Sequence, residues 1–215
     1  MCIPASFRVL QDRVLYSRLG DSHEHIVEEH HLRVTAPDDY DVLGVPVEFV
    51  PPAGGYTLPV DRWELLLSAT INRITLPSWY SDARARQQCL DAMPDWWADH
   101  VVEDGEHLCG PERSLLVISG SPQIIVVGGL LCVCASAAPQ ITLCEGRVFT
   151  LDKSQPSTTQ TGGEMFTCGE SRPKIVQSGG LVFTLDHSRP QIVKSGGEVH
   201  SYGKSQPVVT RGIIQ

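Results

Sequence analysis

Lysine is absent from the chain until position 153, and the four lysines, at 153, 174, 194 and 204, all fall in its last third. Long apolar runs are missing too. The most apolar stretch, Leu115 to Leu131, is interrupted by Gly, Ser, Pro and Gln, which excludes a membrane-spanning helix and fits buried strands. The opening Met1-Cys2-Ile3-Pro4 runs into mixed polar sequence, so no secretory leader is expected. There is no G-x-S-x-G, phosphate loop, dinucleotide fingerprint or metalloprotease His-Glu pattern, which removes the best-marked catalytic and cofactor classes. Seven cysteines make an odd number, and Cys132 and Cys134 form C-x-C rather than the C-x-x-C of zinc sites. They read as small core hydrophobes in a reducing, cytoplasmic compartment, with no cofactor or metal expected.

What is present is a repeat. Proline stands at 122, 139, 156, 173, 190 and 207, a step of 17 residues. Aligned on it, the segments share an apolar column (Ile124, Ile141, Thr158, Ile175, Ile192, Val209) and a Gly pair (Gly162-Gly163, Gly179-Gly180, Gly196-Gly197). A second column holds Val148, Met165, Val182 and Val199, and beside it lie Phe149, Phe166, Phe183 and His200. A unit this short cannot bury its own apolar face and must stack on copies of itself. β-Branched and aromatic columns indicate strands, and the density of Gly and Pro excludes helical repeats. The pattern predicts a parallel β-solenoid of about six 17-residue coils, on the order of 30 Å long at strand spacing. Three punctuation points per coil suggest a roughly triangular section: the Gly pair, an Asp/Gly position (Asp152, Gly169, Asp186, Gly203) and a Ser-x-Pro step. Alternation points the Val column inward and leaves the Phe ladder partly exposed or covered at a corner. Hexapeptide, pentapeptide and calcium-binding nonapeptide solenoids do not fit this period.

The two parts of the chain differ in charge. Residues 1–144 hold nine arginines against nineteen acidic residues, whereas 145–215 hold eight basic against six acidic. The expected architecture is an α+β domain over 1–114 followed by an all-β solenoid over 115–215. Within the first part, one or two short strands open the chain. A helix capped by Asp21 or Ser22 is expected to run through Leu32, and an edge-type strand, Val45 to Val50, to end at Pro51-Pro52. The turn Ala53-Gly54-Gly55, a strand with Trp63, Leu65 and Leu67, and Ile71 and Ile74 follow. A helix from Ser81 or Asp82 is expected to end near Met93, ahead of Pro94. Trp63, Trp79, Tyr80, Trp96 and Trp97 suggest the core. His23, His25, His30 and His31 crowd the first helix without a recognised metal spacing and read as a solvated face.

The motifs Ser22-His23-Glu24, Pro77-Ser78-Trp79-Tyr80, Trp97 and Asp104-Gly105-Glu106-His107, leading straight into short β repeats, resemble phage- and prophage-encoded proteins with a small N-terminal domain followed by repeat coils. That resemblance carries no catalytic residues. It implies a location in the host cytoplasm and a non-catalytic role as inhibitor or modulator of a host or defence protein.

Catalysis would need carboxylates or histidines such as Asp38, Asp39, Asp41, His100 and His107 to meet in a cleft, as in carbohydrate-active enzymes built on a β-helix. The solenoid lacks an aligned carboxylate column, because Asp152 and Asp186 alternate with glycines. A protein-binding role is therefore expected, with a structural assembly module as the alternative. The acidic first part fits a basic partner and argues against nucleic acid. A candidate interaction ridge runs along the Ser-x-Pro corner through Lys153, Arg172, His187, Arg189 and Lys204. Val209, Ile213 and Ile214 are candidates for a homo-oligomer interface, as a two-fold dimer or a trimer, because an uncapped coil exposes strand edges and apolar cross-section.

Overall fold

A computed structural model of the chain describes residues 5–33, 36, 39–52, 55–68 and 76–212. Asp38, Ala53, Gly54, Ile71, Ile74, Ile213 and Ile214 lie outside them. The chain forms two compact units, Met1–His100 and Val101–Gln215.

In the first unit, β1 (Ala5–Val9) and β2 (Val14–Leu15) lead to α1 (His23–Glu29), a short α2 (Tyr40–Leu43), β3 (Val45–Val50), β4 (Glu64–Leu67) and α3 (Asp82–His100). The strands form an antiparallel sheet in the order β2-β1-β3-β4. Three elements differ from what the sequence predicts. β3 is an inner strand despite Pro46. The Pro46 carbonyl accepts from Ser68 N–H, so Pro46 faces the β4 side just beyond β4's last residue, where a missing N–H costs no ladder bond. The first helix is capped by Ser22, whose hydroxyl accepts from His25 N–H at 3.1 Å, but it stops at Glu29, and His31 takes φ 51° to turn the chain. The last helix continues through Pro94. Ala85, Cys89, Met93, Trp96 and His100 form one buried stripe at helical spacing, and the Trp96–His100 ring contact at 4.9 Å lies beyond the proline. Burial of that last turn outweighs the bond Pro94 cannot make.

Trp63 and Trp96 are core residues, with Trp97 half-buried against both at 6.2 and 6.4 Å. Trp79 and Tyr80 instead pack on each other, and Trp79 Nε1 donates to Asp41 at 2.6 Å.

In the second unit parallel pairing begins ahead of residue 115. β5 (Glu106–Cys109) and β6 (Ser114–Val117) both pair with β7 (Gln123–Val133), and β7 with β8 (Gln140–Thr150). Each later coil splits into two strands at the Gly corner: β9 (Ser157–Gln160) and β10 (Glu164–Thr167), β11 (Lys174–Gln177) and β12 (Leu181–Thr184), β13 (Gln191–Lys194) and β14 (Glu198–Ser201), then β15 (Val208–Arg211). The register from β8 onward is the repeat itself, as in Ile175↔Ile192 and Phe166↔Phe183. A solenoid of about six turns results. Gly163 shows why the corner needs glycine: it sits at φ 65°, and a Cβ there would meet Gly146 O at 2.8 Å.

Ile124, Ile141, Ile175 and Ile192 are buried, as are Val148, Met165 and Val182. Phe149, Phe166 and Phe183 are half-buried on the other face of their strands, stacked at 4.6 and 4.8 Å, with His200 next at 5.4 Å. The Cys134, Leu151, Cys168, Leu185, Tyr202 column lies beside that ladder rather than in the interior, because each follows an inward Thr or its counterpart. Exposure along it rises from 0% at Cys134 to 53% at Tyr202.

The interior also holds polar ladders. Thr150 and Thr167 are buried and donate to Ser171 and Ser188 at 3.1 and 3.0 Å. Gln160 and Gln177 Nε2 donate to carbonyls of the Gly corner and of the next coil, Gly163 and Leu181, Gly180 and Glu198. Ser154 occupies the same Ser column, but the residue that would serve it is Val133, so its hydroxyl is buried without a partner.

Ser171→Ala strands the Thr150 hydroxyl and costs about 1–2 kcal/mol, whereas Ser154→Ala removes an unmet group and is neutral or stabilising by up to about 1 kcal/mol. Denaturant melts of the two variants should move in these different directions, and equal losses would contradict the ladder. In the first unit, burial pushes the Asp21 carboxyl up to about 6, against the opposing pull of the Ser6 N–H at 2.9 Å and of His100. An unfolded Asp titrates near about 3.9, so the folded state holds the extra proton in between. This contribution to stability is present at low pH and lost as pH rises through about 6. His23, held by burial below its ordinary value, has the opposite slope: its contribution is lost as pH falls below the unfolded value. Asp21→Asn should remove the first slope and keep the second, so wild-type stability minus variant stability declines from about pH 4 to 6. A flat difference would contradict the assignment.

Candidate functional site

The Ser-x-Pro corners at Ser154, Ser171 and Ser188 bury their serine and proline, the last one half-buries Ser205 and Pro207, and every corner turns its middle side chain outward. Those middle residues are Gln155, Arg172, Arg189 and Gln206. Their backbone N–H groups donate to the coil before, Arg172 to Ser154 O and Arg189 to Ser171 O, both at 2.9 Å. The backbone is thus committed to the register, and only the side chains are left to act.

Around this column lie two others, two residues to either side: Lys153, Glu170, His187 and Lys204 on one flank, and Ser157, Lys174, Gln191 and Val208 on the other. All are exposed. Two depressions share Arg172 and Arg189 as their common wall. A smaller one of about 260 Å³ is completed by Glu170 and His187. The larger, about 620 Å³, is lined on its other side by Lys174, Gln191, Gln155 and Gln206. Of the five expected ridge residues, Arg172, His187 and Arg189 are therefore brought together. Lys153 and Lys204 are exposed in the flanking column but line neither depression. Lys174 was missed, although its place two residues after Arg172 on an outward-alternating strand was available to find it.

Arg172, Lys174 and Arg189 have no ion pair and no side-chain hydrogen bond with another described residue. Two guanidinium-bearing residues stand one rung apart, at about 4.8 Å between backbones, and their like charges repel. Five cationic side chains against Glu170 also stand out on a chain whose net charge is −8.

The other expected chemistry is engaged locally. Asp41 accepts from Trp79. His100 is buried with Nε2 on Ser17 O at 2.8 Å, and His107 Nε2 lies on Asp104 O at 2.6 Å. Asp152 and Asp186 occupy left-handed turns and accept from Ala135 and Gly169 N–H of the preceding coil. In α1 and after it, His23 Nε2 meets Val47 O and His30 Nε2 meets Tyr16 O, so their rings turn to separate partners. Among the described residues no group of three or more His, Cys, Asp or Glu side chains is placed to hold a metal ion, and no helix is long and apolar enough to cross a membrane. Of the candidate oligomer residues, Val209 is 47% exposed on β15; Ile213 and Ile214 lie outside the described residues.

Comparison with known proteins finds no matching family model, no matching curated protein and no matching solved structure.

Proposed function

We propose that the chain is a non-catalytic binding protein whose solenoid corner, centred on Arg172 and Arg189, takes an acidic protein partner. The observation that carries this reading is the unmatched cationic cluster. Three cations stand one rung or one side chain apart, without carboxylate partners, on a protein of opposite overall charge. A surface of that kind is relieved by an anion and steers one toward it. The resemblance to phage- and prophage-encoded proteins supplies the biological side of the proposal: a host or defence protein, in the host cytoplasm, inhibited or modulated by being bound.

Immobilised poly-L-glutamate tests the chemistry. Wild-type protein should bind at low salt and weaken as salt rises. The double variant Arg172→Glu, Arg189→Glu should bind at least about 10-fold more weakly with an unchanged melting temperature. Equal binding by the double variant would remove the corner from consideration.

A structural assembly role is the second reading. Val208 and Val209 are 60% and 47% exposed on β15, and among the described residues no strand covers its outer edge. On this reading light scattering gives a homo-oligomer, and Val209→Asp returns a monomer; a monomeric wild type would contradict it.

A further inference from the structure

We infer that the larger depression beside Arg172 and Arg189 is a phosphoryl-binding site, which recognises a phosphorylated residue in an extended segment of the partner. This rests on the acidic-partner reading and specifies its chemistry.

Arg172 and Arg189 are stacked in register, and the neighbouring ladder shows the rung spacing directly, with ring centres 4.6 and 4.8 Å apart. Lys174 projects from the same coil as Arg172 and lines the same depression. A side-chain carboxylate brings one charge and two oxygens, enough for the fork of one guanidinium. It would leave the second arginine and the lysine unmatched. A phosphomonoester brings about −1.5 to −2 and three acceptor oxygens. Its tetrahedral oxygens diverge enough to span two guanidinium groups one rung apart while a third meets the ammonium.

The surroundings favour a peptide over other phosphate carriers. Gln155 and Gln206 stand at the two ends of the arginine column, and Gln191 beside it. A carboxamide both donates and accepts, which suits the alternating N–H and C=O groups of an extended backbone. Among the described residues no aromatic side chain lines the depression, so they offer no stacking platform of the kind that single-stranded nucleic acid uses. The other side of the arginine wall is less suited, because Glu170 stands there with His187. Glu170 should oppose a dianion wherever it binds along this wall, which gives a substitution of predictable sign.

The test uses the full chain and a capped pentapeptide in which phosphoserine is flanked by glycines. The same peptide with glutamate in place of phosphoserine, and inorganic phosphate alone, serve as controls. Binding is followed through the arginine side-chain Nε–H signals. The phosphopeptide should bind at least about 10-fold tighter than the glutamate peptide. Arg172→Gln or Arg189→Gln should each weaken it about 10-fold, and Glu170→Gln should tighten it a few-fold. All three positions are exposed, and unchanged melting temperatures confirm that the variants are folded. Equal binding of the two peptides overturns the phosphoryl inference and leaves the acidic-partner reading standing. Inorganic phosphate binding as tightly as the phosphopeptide overturns the peptide as occupant. Failure of poly-L-glutamate and of both peptides overturns both readings.

Discussion

Parallel pairing in a 17-residue register is the constraint on which the solenoid depends. Once Ile175 lies on Ile192 and Phe166 on Phe183, every side chain meets its own counterpart one strand spacing away. Like then stacks on like, whatever its chemistry. For Val and Ile this closes a core, and for Phe it gives a stacked ladder. For Arg it sets two positive charges together, which no folding requirement explains.

The same constraint decides which polar groups the interior tolerates. Thr150 and Thr167 are buried because the Ser column lies within reach, and Gln160 and Gln177 because the Gly corner leaves carbonyls for their amides. Where the columns fall out of step the consequence is local, as at Ser154 opposite Val133. The Asp and Gly alternation at the left-handed turn has a similar origin. Each Asp caps the amide of the coil before it, Asp152 on Ala135 and Asp186 on Gly169. Those carboxylates are spent on the turn, while the Ser-x-Pro corner keeps its outward side chains free.

Much of the solenoid was legible in the sequence, since one period fixes both the pairing and the inward columns, including Val148 inside and Phe149 outside. The Cys134 column was harder. The column keeps the two-residue alternation, each member following an inward Thr or its counterpart, but small apolar residues taken by themselves give no sign of which side they face. In the first unit, local rules failed where tertiary burial outweighed them. Pro94 reads as a stop, yet Trp96 and His100 bury the turn beyond it. Pro46 reads as an edge signal, yet β4 ends before its missing donor matters. At the corner, Arg172 and Arg189 followed from the repeat, whereas Lys174 belonged to a column judged only by its inward neighbour Ile175.

The corner's charge pair depends on the register setting Arg189 directly over Arg172. Scalar couplings transmitted through backbone hydrogen bonds measure it without reference to side chains. Cross-peaks are expected from Arg172 N to the carbonyl carbon of Ser154 and from Arg189 N to that of Ser171, the two bonds of 2.9 Å that hold the corner. Couplings from Arg189 N to a different carbonyl, or none there while the neighbouring rungs show theirs, would contradict it.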